Sequence, residues 1–418
     1  MASHGGKSLL WAGEDAFTLY ILVVVLNVPP AQAGTLFLGS SIWNAGIDAL
    51  WGAALARFPG IRGRLPYIAW SALLVACASF VALPLAASGS LAVAAILLIL
   101  FRTAFALFDV PHNAVAAVLA GEHGHLRVMR LRTVGSSVAG LAVAAAAMPL
   151  LTVRGAVLPA ILLGTIGVTA LLLLLPLPWL LTLFPTAAPE PPRADGREGR
   201  SGAMTPILLF CLIQMVGIGA LASVAKAALH LDSSHLWAVA AAPLLIAAMR
   251  LGAIPPWSAL ARRVRVTTAL VLAYAASTAV VLALPAALAL GSVSAAVAFA
   301  LFGAALGGVA LLAWSVFSQL LEEANATTAL GRAALGYGIF TATMKIGLGG
   351  SALLAGHWLA NLPVDTGLTG AALSPLVLVV ALLILLCALV EWLRQITHAR
   401  WRCRGTQNRP GFRSLCCR

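Results

Sequence analysis

Asp48, Asp109 and Lys345 each lie deep inside a long apolar run: WNAGIDALWGAAL, FALFDVPHNAV and TATMKIGLGG. A charge at the centre of a bilayer costs roughly 2.5–3.5 kcal/mol on insertion scales, so such a residue faces the protein interior or a water-filled cavity. Asn44 and Asp48 stand at i and i+4 and therefore share one helix face. Joined by Asp109 from another run, they form an oxygen set that can hold a proton, because burial favours a neutral carboxyl. The same set suits a small hard cation, with sodium at Asp48 and Asp109 as the metal alternative. Lys345 is too deep to reach water and needs an acidic partner. The deep acids lie in the first half of the chain, so a Lys345–Asp48 or Lys345–Asp109 pair would be a charge lock between halves. Arg102 and Asp109, seven residues apart, lie on about the same helix face. Neutralisation of Asp48 or Asp109 by Arg102 is the purely structural alternative.

The remaining polar features rank below these. Glu14 and Asp15 interrupt the first apolar run, and His112 and Asn113 follow Pro111. Lys226 and Arg250 fall near span ends, where long side chains snorkel. Glycines crowd around Lys345 and at 303–308, which suits close helix packing. Cys77, Cys211 and Cys387 read as small core residues, whereas Cys403, Cys416 and Cys417 have no zinc-ligand spacing. There is no phosphate-binding glycine loop, no G-x-S-x-G elbow and no HExxH, so neither an enzyme nor an ATP-driven pump is expected.

The elements that must position these residues are membrane helices. Only 9% of the 418 residues are charged and 61% are hydrophobic, with mean hydropathy +0.99; soluble domains carry about 25% charged residues. At ~20 residues per span the length holds about a dozen. Apolar runs occur at 12–27, 35–56, 66–87, 91–118, 133–153 and 156–184, then at 205–229, 236–256, 268–289, 293–321, 333–360 and 371–393. The expected fold is all-α and polytopic, with twelve transmembrane helices in two six-helix halves, 1–184 and 205–395. A Pro/Gly-rich charged linker, 185–204, joins them, and an Arg/Cys-rich tail, 396–418, follows. The segments Trp51-Gly-Ala-Ala-Leu-Ala-Arg57 and Trp257-Ser-Ala-Leu-Ala-Arg-Arg263 close spans 2 and 8 with one pattern, W-x-A-x-x-x-R, as parallel repeats would. Ala31-Gln32-Ala33 imitates a signal-peptidase site, but Glu14 and Asp15 argue for a retained first helix. Arginines concentrate in alternate loops, at 57–64, 127–132, 193–200 and 262–265, and in the tail; the other loops hold Arg154, Asp232 and Asp365. This bias places both termini in the cytoplasm. It also accounts for the net charge of +13 without nucleic acid.

With these residues in place, a family resemblance emerges. Ser41-Ile-Trp-Asn-Ala-Gly-Ile-Asp48 with Gly52, Arg57 and Gly63-Arg64 resembles the span 2 region of the glycoside–pentoside–hexuronide:cation symporters. These are the melibiose-permease-like branch of the major facilitator superfamily. Asp109-Val-Pro-His-Asn-Ala resembles the span 4 signature of that family, and Gly331-Arg332, Tyr337 and Lys345 resemble its approach to span 11. The resemblance implies cation-coupling roles for Asn44, Asp48, Asp109 and Lys345. It implies substrate contacts for Asp15, Asp109 and Arg132, with Asn113 standing where the family carries a sugar-stacking aromatic. Asn44 replaces a usual acid, which favours a proton over sodium.

The sequence therefore predicts a secondary transporter that couples a proton, or sodium, to symport of a small solute such as a sugar or glycoside. No cofactor beyond that ion is expected. The expected setting is a bacterial inner or plasma membrane, with lipid and substrate as partners and a monomeric chain. One alternative is a transporter or exporter of an amphiphilic or hydrophobic solute, since the spans carry few hydrogen-bonding side chains. Another is a non-transporting scaffold or receptor on the same fold.

Overall fold

The computed structural model describes residues 2–86, 90–151, 157–182, 200–228, 237–324, 330–360 and 370–407. Arg154, Asp232, Asp365, positions 185–199 of the linker and the tail beyond 407 lie outside the described residues. Among the described residues twelve long helices carry the fold. The first half holds α1 (Ala2–Tyr20), α2 (Pro30–Arg57), α3 (Leu65–Ala82), α4 (Leu91–His123), α5 (His125–Ala147) and α6 (Val157–Leu174). The second holds α7 (Arg200–Ala228), α8 (Trp237–Gly252, prolonged by Ile254–Arg263), α9 (Val266–Ala289), α10 (Ser292–Glu323), α11 (Leu330–Ala360) and α12 (Gly370–Gln407). Among the described residues ten helical stretches are long and apolar enough to cross a membrane. The other two long helices, α2 and α5, are the polar ones: they carry Ser40, Ser41, Asn44 and Asp48, and Arg127, Arg130 and Arg132. They complete the twelve.

The first helix begins earlier than its apolar run. Its opening turns pack against α5 and α6, so His4 and Lys7 are buried although the run begins only at 12. At its far end a π-helical turn, Ile21–Val25, leads to Asn27 at φ 54, and Pro30 then starts α2. Asparagine tolerates that left-handed backbone, and proline suits a first helical position because it has no N–H to satisfy.

The two halves share one packing scheme. In the first, α1 packs on α5 and α6, α3 on α4 and α6, and α2 on α4. Adding six to each number gives the contacts of the second half: α7 on α11 and α12, α9 on α10 and α12, and α8 on α10. The contacts between halves obey the same exchange, α2 on α11 matching α8 on α5, and α4 on α11 matching α10 on α5.

The W-x-A-x-x-x-R repeat has a structural counterpart in this scheme. Trp51 Nε1 donates to the Leu107 carbonyl of α4 (3.1 Å), and Trp257 Nε1 donates to the Ala304 carbonyl of α10 (2.9 Å). The Leu107 carbonyl is available because Pro111, four residues on, has no N–H to offer it. In the second half Gly308 stands at the equivalent offset from Ala304 and makes room for the indole, since a Cβ there would lie 2.4 Å from the Trp257 ring. Trp51→Phe orphans the Leu107 carbonyl, so an unfolding measurement should show a loss of about 1–3 kcal/mol. In a Pro111→Ala background, where a backbone N–H can return, the same change should cost visibly less.

The seam between α2 and α11 runs the length of both helices. On α2 the facing positions are Gly34, Ser41, Asp48 and Leu55; on α11 they include Gly356, Gly349, Lys345, Gly338 and Gly331. Such seven-residue spacing keeps one face against a partner helix. Close approach is the reason for the glycines: a Cβ on Gly52 would meet the Ala334 carbonyl oxygen at 2.7 Å, and one on Gly338 the Asp48 carbonyl oxygen at 2.5 Å. Gly338→Leu should therefore push α2 away and displace Asp48, costing at least the ~1–3 kcal/mol typical of overpacking. A thermal melt checks the cost. The charge lock described next sits inside this seam.

Candidate functional site

Lys345 of α11 reaches across the seam to three oxygens of the first half. Its Nζ lies 2.6 Å from Asp48 Oδ2, 2.9 Å from Asn44 Oδ1 and 3.4 Å from Asp109 Oδ2. The Asn44 contact is a hydrogen bond, and the two carboxylates are ion-pair partners of the same ammonium. Trp11 and Phe105 flank the charge, with Nζ 5.2 and 5.3 Å from the ring centroids, within cation–π range. Asp48 and Asn44 are wholly buried, and neither Asp48 oxygen has a hydrogen-bond partner: Oδ2 meets Lys345 as an ion pair, and Oδ1 meets no cation among the described residues.

The other oxygen of Asp109 belongs to a residue that the sequence did not single out. Lys7 Nζ of α1 lies 2.7 Å from Asp109 Oδ1 and donates to Asn113 Oδ1 at 2.6 Å. Asn113 Nδ2 in turn donates to Asp109 Oδ1 (3.0 Å), and Arg132 Nη2 of α5 donates to Asn113 Oδ1 (2.7 Å). Two cations on Asn113 Oδ1 fix the orientation of that amide. Arg132 also lies over Trp314 of the second half, its Cζ 4.4 Å from the ring centroid. Lys7, Asp109, Asn113, Arg132, Lys345, Asp48 and Asn44 thus form one continuous polar network at the interface between halves.

Asp15 is not part of it. It pairs with Lys226 of α7 at 2.7 Å, and the pair joins the halves nearer the opposite end from the arginine-rich loops. Lys226 is therefore engaged rather than snorkelling. Arg102 pairs with neither Asp48 nor Asp109: its Nη2 lies 2.6 Å from Glu14 Oε1, with both side chains almost wholly buried. Seven helical residues span about 10.5 Å, too far for contact, and both Asp109 oxygens already face lysines. At the arginine-rich end His125 of α5 meets Glu322 of α10 in a short contact and lies 2.7 Å from Ser318 Oγ. The halves are thus tied at three levels, with Lys345 in the middle.

The second half presents aromatic rather than polar side chains beside this network. Phe317 and Phe340 stack with centroids 4.0 Å apart, and Trp314, Tyr337 and Phe210 complete the cluster. Ser315 and Thr341 turn their hydroxyls onto carbonyls of their own helices. Among the described residues no group of three or more His, Cys, Asp or Glu is placed to hold a metal ion.

Twelve long helices among the described residues, in two alike halves with buried charges paired across the interface, are the architecture of a major facilitator fold. The chain belongs to the MFS/sugar transport protein family, whose model matches residues 5–394. That membership makes it a transporter and not an enzyme, and sets aside the scaffold alternative. Solved structures agree on the fold. The nucleoside transporter NupG is 13% identical, with 93% of this chain and 96% of that one covered at a TM-score of 0.58. The MFS transporter FucP, in its outward conformation, is 13% identical, with 93% and 98% covered at 0.58. No curated protein matches the sequence.

Proposed function

We propose that this chain is a cation-coupled symporter, using protons in preference to sodium, that moves a small solute such as a sugar or glycoside by alternating access. The carrying observation is the Lys345 ammonium, supplied by the second half and buried against Asp48 and Asp109 of the first. Charges this deep are stable only when paired. Protonating a carboxylate removes the charge that holds Lys345, so the seam loosens and the halves, 1–184 and 205–395, rock about the midplane site. A proton suits the site better than sodium because Asn44, not an acid, is the third oxygen donor. The Asp109-Val-Pro-His-Asn-Ala motif supports placing the chain in the melibiose-permease-like branch. In that reading Asp109, Asn113 and Arg132 contact solute, while Asp15 serves with Lys226 as a gate. The monomer works in a bacterial inner or plasma membrane with both termini cytoplasmic, as the arginine bias indicates.

One observation favours a second reading, an amphiphilic solute. Next to the site the second half offers the stacked rings of Trp314, Tyr337 and Phe340. Proteoliposomes separate the two. Symport requires a labelled sugar or glycoside, neutral or anionic, to accumulate under an imposed proton gradient. Movement of a lipid-like probe without any glycoside flux would support the amphiphile.

A further inference from the structure

The polar network carries more positive charge than its acids can balance. Lys7, Arg132 and Lys345 face only Asp48 and Asp109. The other deep acids are engaged elsewhere, Glu14 with Arg102, Asp15 with Lys226, and Glu391 with Arg394. Arg132 has no carboxylate within ion-pair distance among the described residues, and its Nη1 has no hydrogen-bond partner although the side chain is more than nine-tenths buried. His112, adjacent in sequence to Asn113 and equally buried, leaves Nδ1 unpartnered. Its ring stacks on His4 at 5.6 Å between centroids, and His4 lies against α5 at Gly135, one turn from Arg132. Lys7 and Arg132 converge on one acceptor atom, Asn113 Oδ1, at 2.6 and 2.7 Å.

Unused buried donors around a surplus cation are costly unless something supplies charge and acceptors. A neutral sugar hydroxyl supplies acceptors but no charge. A carboxylate or phosphate group supplies both, and guanidinium binds either in fork geometry. We propose that Lys7, Arg132 and His112 form an anion-binding subsite on the transport path, and that the solute is an organic anion bearing a carboxylate or phosphate group. This rests on the reading of the interface as the solute site. The anion would take Asn113 Oδ1's place as acceptor for Lys7 and Arg132. That step frees Lys7 from Asn113 while leaving Asp109 paired with Lys345.

The test is ligand-induced thermal stabilisation of the purified full-length chain, at matched ionic strength against chloride. The probes are gluconate for the carboxylate arm, glucose 6-phosphate and inorganic phosphate for the phosphate arm, and glucose as the neutral control. At saturating ligand, at least one anionic arm should raise Tm by roughly 2–4 °C, and glucose should not. Lys7→Gln and Arg132→Gln should each erase the shift, and Arg132→Lys should retain part of it. Because each variant is compared with its own unliganded melt, a lower baseline in one does not obscure the answer in the other. Stabilisation by glucose equal to that by the anions, a shift that survives both variants, or no shift with any anion would overturn the subsite. Binding is read without ion flux, so failure here is separate from failure of proton coupling.

Discussion

Lys345→Met is expected to abolish gradient-driven uptake and to lower stability by about 3–5 kcal/mol, the cost of leaving a buried charge without its partner. Two carboxylates, Asp48 and Asp109, lose their common ammonium in that variant. Adding Asp48→Asn should recover much of the stability, because it removes the stranded charge together with its former partner. It should not recover coupling, because neither the lock nor the group that unlocks it remains. Denaturation in detergent and proton-driven uptake in proteoliposomes read the two effects separately. Recovery of both in the double variant would mean that the pair is structural only.

Arg102→Met should cost a similar ~3–5 kcal/mol, for Glu14 and Arg102 are buried as deeply as the lock. Here the expected rescue differs. Replacing both partners, Glu14→Gln with Arg102→Met, should restore stability and also leave substantial gradient-driven uptake. Both residues lie in the first half, on α1 and α4, so no movement between halves needs to make or break their contact. Trp11 and Phe37 enclose the guanidinium, with centroids 5.2 and 4.9 Å from Cζ, and would pack against the methionine. The same double-variant design thus separates a pair that holds the fold from a pair that moves.

Much of the architecture was legible because bilayer thickness imposes its own period. Every apolar run but the first, 12–27, reaches the ~20 residues a span needs, and the Trp51 and Trp257 segments mark equivalent places in the two halves. Asp48, Asp109 and Lys345 were legible for the same reason: a charge within a run has to meet a partner. Lys7 was not. It precedes the apolar run, beside Gly5 and Gly6, where a lysine reads as solvated; its burial comes from α1 docking on α5 and α6. A signal was present in the spacing. Lys7, Trp11, Glu14 and Thr18 recur at intervals of four, three and four, the stripe of a single helix face. Arg102 shares a helix face with Asp109 without touching it, because its guanidinium turns to Glu14 on α1 instead. The glycine positions of α11 suggested close packing, but their partners on α2 depend on how antiparallel helices from different halves align.

If Asp48 carries the coupling proton that releases Lys345, removing its charge must uncouple accumulation from exchange. Proteoliposomes bearing Asp48→Asn test it most directly, with proton-driven accumulation of a labelled glycoside and glycoside counterflow measured on the same preparation. Counterflow exchanges solute without net ion movement. The expected result is accumulation at background while counterflow continues. Accumulation at the wild-type level in Asp48→Asn would contradict it.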